Sequence, residues 1–157
     1  MIKYLIMDVD GTLTDGKIYM SPAGEEMKAF NIKDGLGIHD ILLIHGITPV
    51  IISGRKSQIV LNRCKELGIT EIYQGQNDKL KKLSEISNEL NLVAYIGDDI
   101  NDLECMKAVK EAGGIVGCPA DAVKKVKEIA DYISLHNGGD GAVRELIEYI
   151  IEQQAIT

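Results

Sequence analysis

Short apolar runs alternate with longer amphipathic segments along this chain. Each short run ends at a polar residue or a glycine, as buried strands do. The predicted strands are residues 2–8, 49–53, 69–73, 92–96, 114–116 and 131–135. Residues 17–30 contain two shorter runs around Ser21-Pro22-Ala23-Gly24, and this pattern predicts a β-hairpin.

The segments between these strands have helical periodicity. One face of residues 78–90 carries Leu80, Leu83, Ile86 and Leu90. The predicted helices are residues 35–45, 56–67, 78–90, 101–111, 120–128 and 141–153. Because strand and helix alternate, we predict an α/β fold with a doubly wound, mostly parallel sheet and helices on both faces. The hairpin is a small insertion after the first strand.

Composition narrows the class of protein. A chain of 157 residues fits one domain, so we expect a single domain over residues 1–157. The net charge of −7 argues against nucleic acid or an anionic membrane as a partner. The three cysteines form no CxxC pair and are expected to be reduced thiols. With no leader before the first strand and no membrane-length apolar run, we expect a cytoplasmic protein.

Three predicted strands end in polar residues, namely Asp8, Ser53 and Asp98. The carboxyl ends of parallel strands meet at one edge of a sheet, where ligands bind near the switch in strand order. We therefore expect these side chains to share one site.

The first of these segments is Asp8-Val9-Asp10-Gly11-Thr12. A carboxylate such as that of Asp8 can attack a phosphoryl group and form an aspartyl-phosphate. Asp10 could then protonate the leaving oxygen and later deprotonate the attacking water. Glycine lets the backbone approach an anion closely. The alternative interpretation is a calcium-type loop or a simple polar turn.

Three further segments are each ambiguous alone. Ser53 could hold a phosphate oxygen or merely begin a strand-to-helix turn. Lys79 could neutralise a phosphorylated carboxylate or be a solvated surface charge. In the segment 97–102 (GDDIND), Asp98 could complete a Mg²⁺ site with Asp8 and the backbone carbonyl of Asp10. Its alternative role is capping of a helix by Asp99 or Asn101.

The ordered set DxDGT, Ser, Lys and GDDxxD resembles the phosphatases of the haloacid dehalogenase (HAD) superfamily. The resemblance implies a Rossmann-like fold with Asp8 as nucleophile and Asp10 as general acid and base. Ser53 and Lys79 then hold the phosphoryl group. Mg²⁺ is bound by Asp8, Asp10 and Asp98, with Asp99 or Asp102 supporting the site through water.

A closer resemblance is carried by the stretches DVDGTLTDG, KAFNIKDGLGI, ISGRKSQIVLNRCKELGI, YQGQNDKL, YIGDDINDL and NGGDGAVRE. They look like the 3-deoxy-D-manno-octulosonate 8-phosphate (KDO 8-phosphate) phosphatase family. That family is cap-free and tetrameric, and it serves lipopolysaccharide synthesis. Its substrate segment corresponds to Asn31, Ile32, Lys33, Asp34 and Gly35. Its basic substrate residues correspond to Arg55, Arg63 and Lys79.

The chain departs from the family pattern at two places. His39 stands where the family pattern has an arginine, and the tail after Glu145 is shorter than in members whose tail reaches a neighbouring subunit's site. Only a hairpin and one helix separate Asp8 from Ser53, so we expect no cap domain. Packing of subunits hairpin to hairpin would then cover the site, through Ile18, Tyr19, Met20, Met27 and Phe30.

The function implied is Mg²⁺-dependent hydrolysis of a small sugar-acid phosphate, KDO 8-phosphate, through an aspartyl-phosphate. One alternative is the same chemistry on a nine-carbon acid 9-phosphate of the KDN or N-acylneuraminate type. Arg55 argues against it, because that sister group carries an acidic residue there. A phosphomutase needs a mobile cap, and a non-catalytic binding subunit would have lost a motif carboxylate.

Overall fold

Six parallel strands form the central sheet of the computed structural model, which describes residues 1–156. In chain order the strands are β1 (Tyr4–Met7), β2 (Tyr19–Ser21), β3 (Gly24–Met27), β4 (Thr48–Ile52), β5 (Glu71–Tyr73), β6 (Val93–Ile96), β7 (Ile115–Cys118) and β8 (Tyr132–Ile133). The sheet order is β5-β4-β1-β6-β7-β8, while β2 and β3 pair only with each other as the antiparallel hairpin. The predicted fold class is confirmed.

Seven α-helices are found within residues 1–156. They are α1 (Ile32–Leu36), α2 (Leu42–Ile44), α3 (Gln58–Glu66), α4 (Lys79–Ile86), α5 (Leu103–Glu111), α6 (Lys124–Ile129) and α7 (Ala142–Ile156). A π-helical turn, Gly37–Ile41, joins α1 to α2, and 3₁₀ turns cover Leu90–Leu92 and Ile100–Asp102.

Successive side chains of β1 point to opposite faces of the sheet, and each face carries one layer of the hydrophobic core. Leu5 and Met7 pack on one face of the sheet with residues of α3 and α7. Ile6 packs on the other face with residues of α4, α5 and α6. All three side chains are fully buried, as expected for a central strand of a sheet covered on both faces.

Several predicted boundaries were wrong, for local reasons. The first helix begins at Ile32 rather than at residue 35, because the Asn31 side chain accepts a hydrogen bond from the amide of Lys33 and caps it. The helix predicted over 78–90 ends at Ile86, where Ser87 adopts an extended conformation. Leu90 still packs against the core, but from a 3₁₀ turn.

The strand order places the switch point between β1 and β6. From β1 the chain continues outward to β4 and β5, and from β6 it continues in the opposite direction to β7 and β8. Connections leave on opposite sides there, so a crevice opens at the carboxyl ends of these two strands. Asp8 directly follows β1 and Asp98 lies two residues beyond β6.

Among residues 1–156, no helix has both the length and the apolar character that crossing a membrane requires.

Candidate active site

Three of the four motif segments meet at this crevice through a buried lysine. Lys79, the first residue of α4, places its Nζ 2.9 Å from Asp8 Oδ1 and 3.0 Å from Asp102 Oδ1. On the neighbouring loop, Thr12 Oγ1 donates a hydrogen bond of 3.2 Å to Asp98 Oδ1. A phosphoryl group arriving here would therefore meet a buried carboxylate and a buried ammonium side by side.

Asp102 holds this arrangement together. Its Oδ1 accepts hydrogen bonds from Lys79 and from the Tyr95 hydroxyl at 2.8 Å. Its Oδ2 accepts from the backbone amides of Asp98 at 3.0 Å and Asp99 at 3.3 Å. Both oxygens are thus engaged in fixing Lys79 and the turn after β6. Asp99 is exposed and caps the 3₁₀ turn, as its alternative role predicted.

Burial and like charge set the electrostatics of the cluster. Burial, followed by the charge of Asp102, raises the pKa of Asp8 above its usual range, although Lys79 opposes this. The pKa of Asp98 is also raised, first by burial and then by its contact with Asp8. Burial alone would lower the pKa of Lys79, but the two carboxylates beside it outweigh burial and raise it.

The cluster has the composition of a site for a hard cation. Asp8, Asp98 and Asp102 each bring one carboxylate oxygen within 4.8 Å of the others, and the Lys79 ammonium contacts Asp8 and Asp102. Because Asp102 is fully hydrogen-bonded, Asp8 and Asp98 are the side chains able to hold the ion. Carboxylate oxygens suit Mg²⁺, whose charge would offset the surplus negative charge. The role of the Asp10 carbonyl stays a prediction.

Gly11 allows the two carboxylate loops to approach each other. It has a φ of +89°, and a β-carbon there would lie 2.6 Å from Asp98 Cγ. Any other residue would therefore displace the Asp98 carboxylate.

Asp10 lies beside this cluster and is held by two cations. Lys28, just after β3, forms an ion pair with Asp10 Oδ1. The Nε of Arg55 lies 3.8 Å from Asp10 Oδ2. Sequence reasoning missed Lys28, and the one signal for it was its place at the end of the predicted hairpin. Ser53 is buried directly after β4, at the same edge of the sheet, and its phosphate-holding role stays a prediction.

The predicted substrate segment 31–35 contacts the start of α7 within one chain. Asp34 is buried, and its carboxylate accepts hydrogen bonds from the amides of Gly141 at 3.4 Å and Arg144 at 2.9 Å, where α7 begins. Ile32 is exposed, and the carbonyl of Lys33 accepts a hydrogen bond from Arg144.

Arg63 packs against the same segment. A β-carbon on Gly35 would lie 2.5 Å from Arg63 Nη2. The Arg63 guanidinium also lies 5.9 Å from the centre of the Phe30 ring, and its Nη1 pairs with Glu66 at 3.2 Å. Substrate binding by Arg63 and by residues 31–35 stays a prediction.

Comparison with known proteins decides the family. The model of the haloacid dehalogenase-like hydrolases matches residues 65–146. The chain is 45% identical to the 3-deoxy-D-manno-octulosonate 8-phosphate phosphatase KdsC of Escherichia coli (strain K12), over 98% of this chain and 81% of that protein. The chain belongs to this phosphatase family. The predicted resemblance is confirmed.

Solved structures of the KDO 8-phosphate phosphatase family share the fold. The enzyme from Moraxella catarrhalis, solved in complex with a magnesium ion, a phosphate ion and KDO, superposes with a TM-score of 0.88 at 42% identity. That match covers 96% of this chain and 86% of the other. The cobalt-bound Haemophilus influenzae phosphatase gives a TM-score of 0.88 at 36% identity, covering 98% and 90%.

Proposed function

We propose that this chain is a Mg²⁺-dependent phosphatase that hydrolyses KDO 8-phosphate to the free sugar acid and inorganic phosphate, with residues 1–157 acting as a single domain. The observation that carries the proposal is the contact of Asp8 with Lys79 beside Asp98 at the switch point of the sheet. The named activity of relatives 45% identical supports the choice of substrate. The cytoplasm is the proposed location, and neither nucleic acid nor a membrane is a proposed partner.

The reaction proceeds in two transfers. The Asp8 carboxylate attacks phosphorus while the bond to the sugar oxygen breaks, and the Asp10 carboxyl gives its proton to that oxygen. Water then attacks the aspartyl-phosphate, losing a proton to Asp10, and the phosphorus–Asp8 bond breaks to release phosphate. Asp10 is thereby returned to its protonated form.

The other residues of the site neutralise the charge of the phosphoryl group and hold it in position. Lys79 contacts Asp8 directly, so its ammonium also neutralises a phosphoryl group bound there. The proposed role of the Ser53 hydroxyl is to hold a phosphoryl oxygen. When bound by Asp8 and Asp98, Mg²⁺ supplies charge neutralisation between the nucleophile and the phosphoryl oxygens.

A substrate panel tests this proposal. Phosphate release by the purified protein should be fastest with KDO 8-phosphate, compared with KDN 9-phosphate, N-acetylneuraminate 9-phosphate and simple sugar phosphates. Preference for a nine-carbon acid would overturn the substrate but keep the chemistry. Absence of release from every phosphate ester would overturn the activity itself.

Arg55 is predicted to bind the sugar-acid part of the substrate, beyond its phosphate. Its side chain is half-exposed at the edge of the site, and a guanidinium can grip a carboxylate or sugar hydroxyls with two hydrogen bonds. The Arg55→Ala change should lower kcat/KM for the sugar-acid phosphate by about 1.5–3 kcal/mol, the scale of a hydrogen bond to a charged group. The same change should affect p-nitrophenyl phosphate much less.

The Arg55→Lys variant is the control, because it keeps the charge but loses the planar fork. It should recover only part of the lost kcat/KM. Equal losses on both substrates in Arg55→Ala would mean that Arg55 serves only the phosphate or Asp10. If neither substrate were affected, Arg55 would have no role in recognition.

Subunit packing through the hairpin is also proposed, as a homotetramer. Met20 and Met27 on the hairpin are 62% and 54% exposed, and Ile18 and Tyr19 beside them are also exposed. A two-stranded hairpin is marginal alone, so a covering partner would stabilise it. Phe30 does not belong to this surface, because it packs against the core.

Placing aspartate at Met20 and Met27 together should dissociate the assembly and reduce activity, since charge is costly in an apolar contact. Light scattering and turnover are the measurements. The control is aspartate at Leu43 and Ile44, two exposed apolar residues of α2 outside the hairpin. A fully active monomer, in either the original protein or the hairpin variant, would contradict the proposal that neighbouring subunits cover the site.

A further inference from the structure

Lys28 is a buried cation that the proposed chemistry has not yet used. It follows β3 directly, and its side chain has 0% of its surface exposed within a single chain. Its Nζ forms ion pairs with Asp10 Oδ1 and, at 2.9 Å, with Glu25 Oε1. A covered ammonium group is stable only with such partners, so its position is fixed by these two carboxylates.

Attachment of the hairpin does not by itself require Lys28 to reach Asp10. Glu25 already joins the hairpin to the body, because its Oε2 accepts a hydrogen bond of 2.5 Å from Ser57 Oγ. Ser57 in turn caps the start of α3. The hairpin therefore has an anchor of its own, and the ion pair with Asp10 is an additional feature.

The two oxygens of Asp10 have different surroundings. Lys28 occupies Oδ1, while Oδ2 faces the half-exposed Arg55, whose Nε lies 3.8 Å away. A carboxyl that must deliver a proton needs one oxygen free and the group held at a fixed angle. The contact of Lys28 fixes the carboxyl through Oδ1 and leaves Oδ2 beside the half-exposed Arg55, at the edge of the site.

We propose that Lys28 is a positioning residue for proton transfer by Asp10, and this role rests on the phosphatase function proposed above. With Lys28 on Oδ1, the Oδ2–H of Asp10 gives its proton to the leaving oxygen as the phosphorus–oxygen bond breaks and the phosphorus–Asp8 bond forms. The hairpin thus supports the chemistry of its own subunit, apart from any part in assembly.

Substrates with different leaving groups distinguish a role of Lys28 in positioning Asp10 from a role in merely attaching the hairpin. An alkoxide needs a proton as it leaves, whereas p-nitrophenolate is stable without one. The parameter kcat/KM reports only steps up to the first irreversible one, so the later attack of water does not enter the comparison. Alkyl phosphates with and without a carboxylate should both be used, so that recognition of the carboxylate by Arg55 does not enter the comparison.

Lys28→Met removes the ammonium and keeps the stem. It should lower kcat/KM for every alkyl phosphate by about 10²-fold, the cost of a misplaced proton donor, and for p-nitrophenyl phosphate by less than about 3-fold. Lys17→Met, an exposed lysine before the same hairpin, is the matched control and should change neither. Asp10→Asn should show the same contrast between substrates, and adding Lys28→Met to it should cost little more.

Equal losses on alkyl and aryl phosphates would overturn the proposal and leave Lys28 as a structural anchor, and so would unchanged kcat/KM on both. If Lys28→Met does not fold, the double variant Lys28→Met with Glu25→Gln removes one cation and one anion together, and the same contrast is expected of it. The test does not depend on KDO 8-phosphate, since any alkyl phosphate that the unaltered protein hydrolyses serves. A protein that hydrolyses no phosphate ester would overturn the proposed function and this role together.

Discussion

Replacing Asp8 with asparagine is expected to reduce turnover by about 10⁴-fold or more. An amide is a poor nucleophile and a poorer ligand for Mg²⁺, so both the covalent step and the metal site lose their central group. Hydrolysis of phosphate monoesters without a catalyst is slow enough that enzymes supply up to ~10²¹-fold. Little background reaction would therefore remain. Steady-state phosphate release measures the loss.

The folded structure should survive this change. Burial and Asp102 raise the pKa of Asp8, which means that its ionised form is disfavoured in the folded, metal-free protein. Above the ordinary pKa of an aspartate this shift lowers the stability of the folded protein, and a neutral residue of the same shape removes that cost. Lys79 keeps its contact with Asp102. The metal-free Asp8→Asn protein should melt at the same temperature as the original or higher.

A matched control is Glu111→Gln, which removes a carboxylate charge at the exposed end of α5 and should leave turnover unchanged. Mass spectrometry of rapidly quenched reactions should detect a phosphorylated protein with Asp8 present and none with asparagine. Substantial activity in a properly folded Asp8→Asn protein would contradict the covalent mechanism.

Removal of divalent metal should likewise abolish activity, and Mg²⁺ should restore it. Asp8 and Asp98 lie close together in a buried setting, where burial, the contact with Asp8 and the like charge of Asp8 raise the pKa of Asp98. Bound Mg²⁺ would relieve that repulsion, so adding it should raise the melting temperature as well as the rate. Calcium should inhibit, because its larger and looser coordination would misplace the nucleophile and the phosphate.

The Asp98→Asn variant tests whether the Mg²⁺ that stabilises the protein is bound at the same site that supports activity. It should lose the increase in melting temperature produced by Mg²⁺ as well as the turnover. Full activity after exhaustive chelation, verified by elemental analysis, would rule out the metal.

Two predicted parts of the site lie at strand ends. Asp8 and Asp98 follow central strands, and the rule that parallel strands present their carboxyl ends to one edge was enough to bring them together. Lys28 could not be found in this way. Its approach to Asp10 depends on how the hairpin folds back over the sheet, and no periodicity encodes that angle.

Apolar periodicity also gave a wrong helix boundary, because the backbone leaves the helical conformation before the apolar pattern ends. The apolar spacing that continues to Leu90 predicted one long helix, yet the chain leaves the helix at Ile86 and returns Leu90 to the core from a separate turn. Asp34 is a similar case, because its carboxylate is engaged by the first amides of α7, a partner more than a hundred residues away in the chain. Contacts of this kind follow from tertiary packing and leave no mark in neighbouring residues.

The close approach of Gly11 to Asp98 has a consequence for redesign of the enzyme. The space at position 11 is already filled by the Asp98 carboxylate, and the backbone there adopts a left-handed conformation. The two positions therefore have to be changed together in directed evolution, since a larger side chain at either would displace the other and with it a carboxylate proposed to hold Mg²⁺. Libraries that seek new substrates are best confined to the rim around Arg55, where the side chain is half-exposed and the reacting groups are left in place.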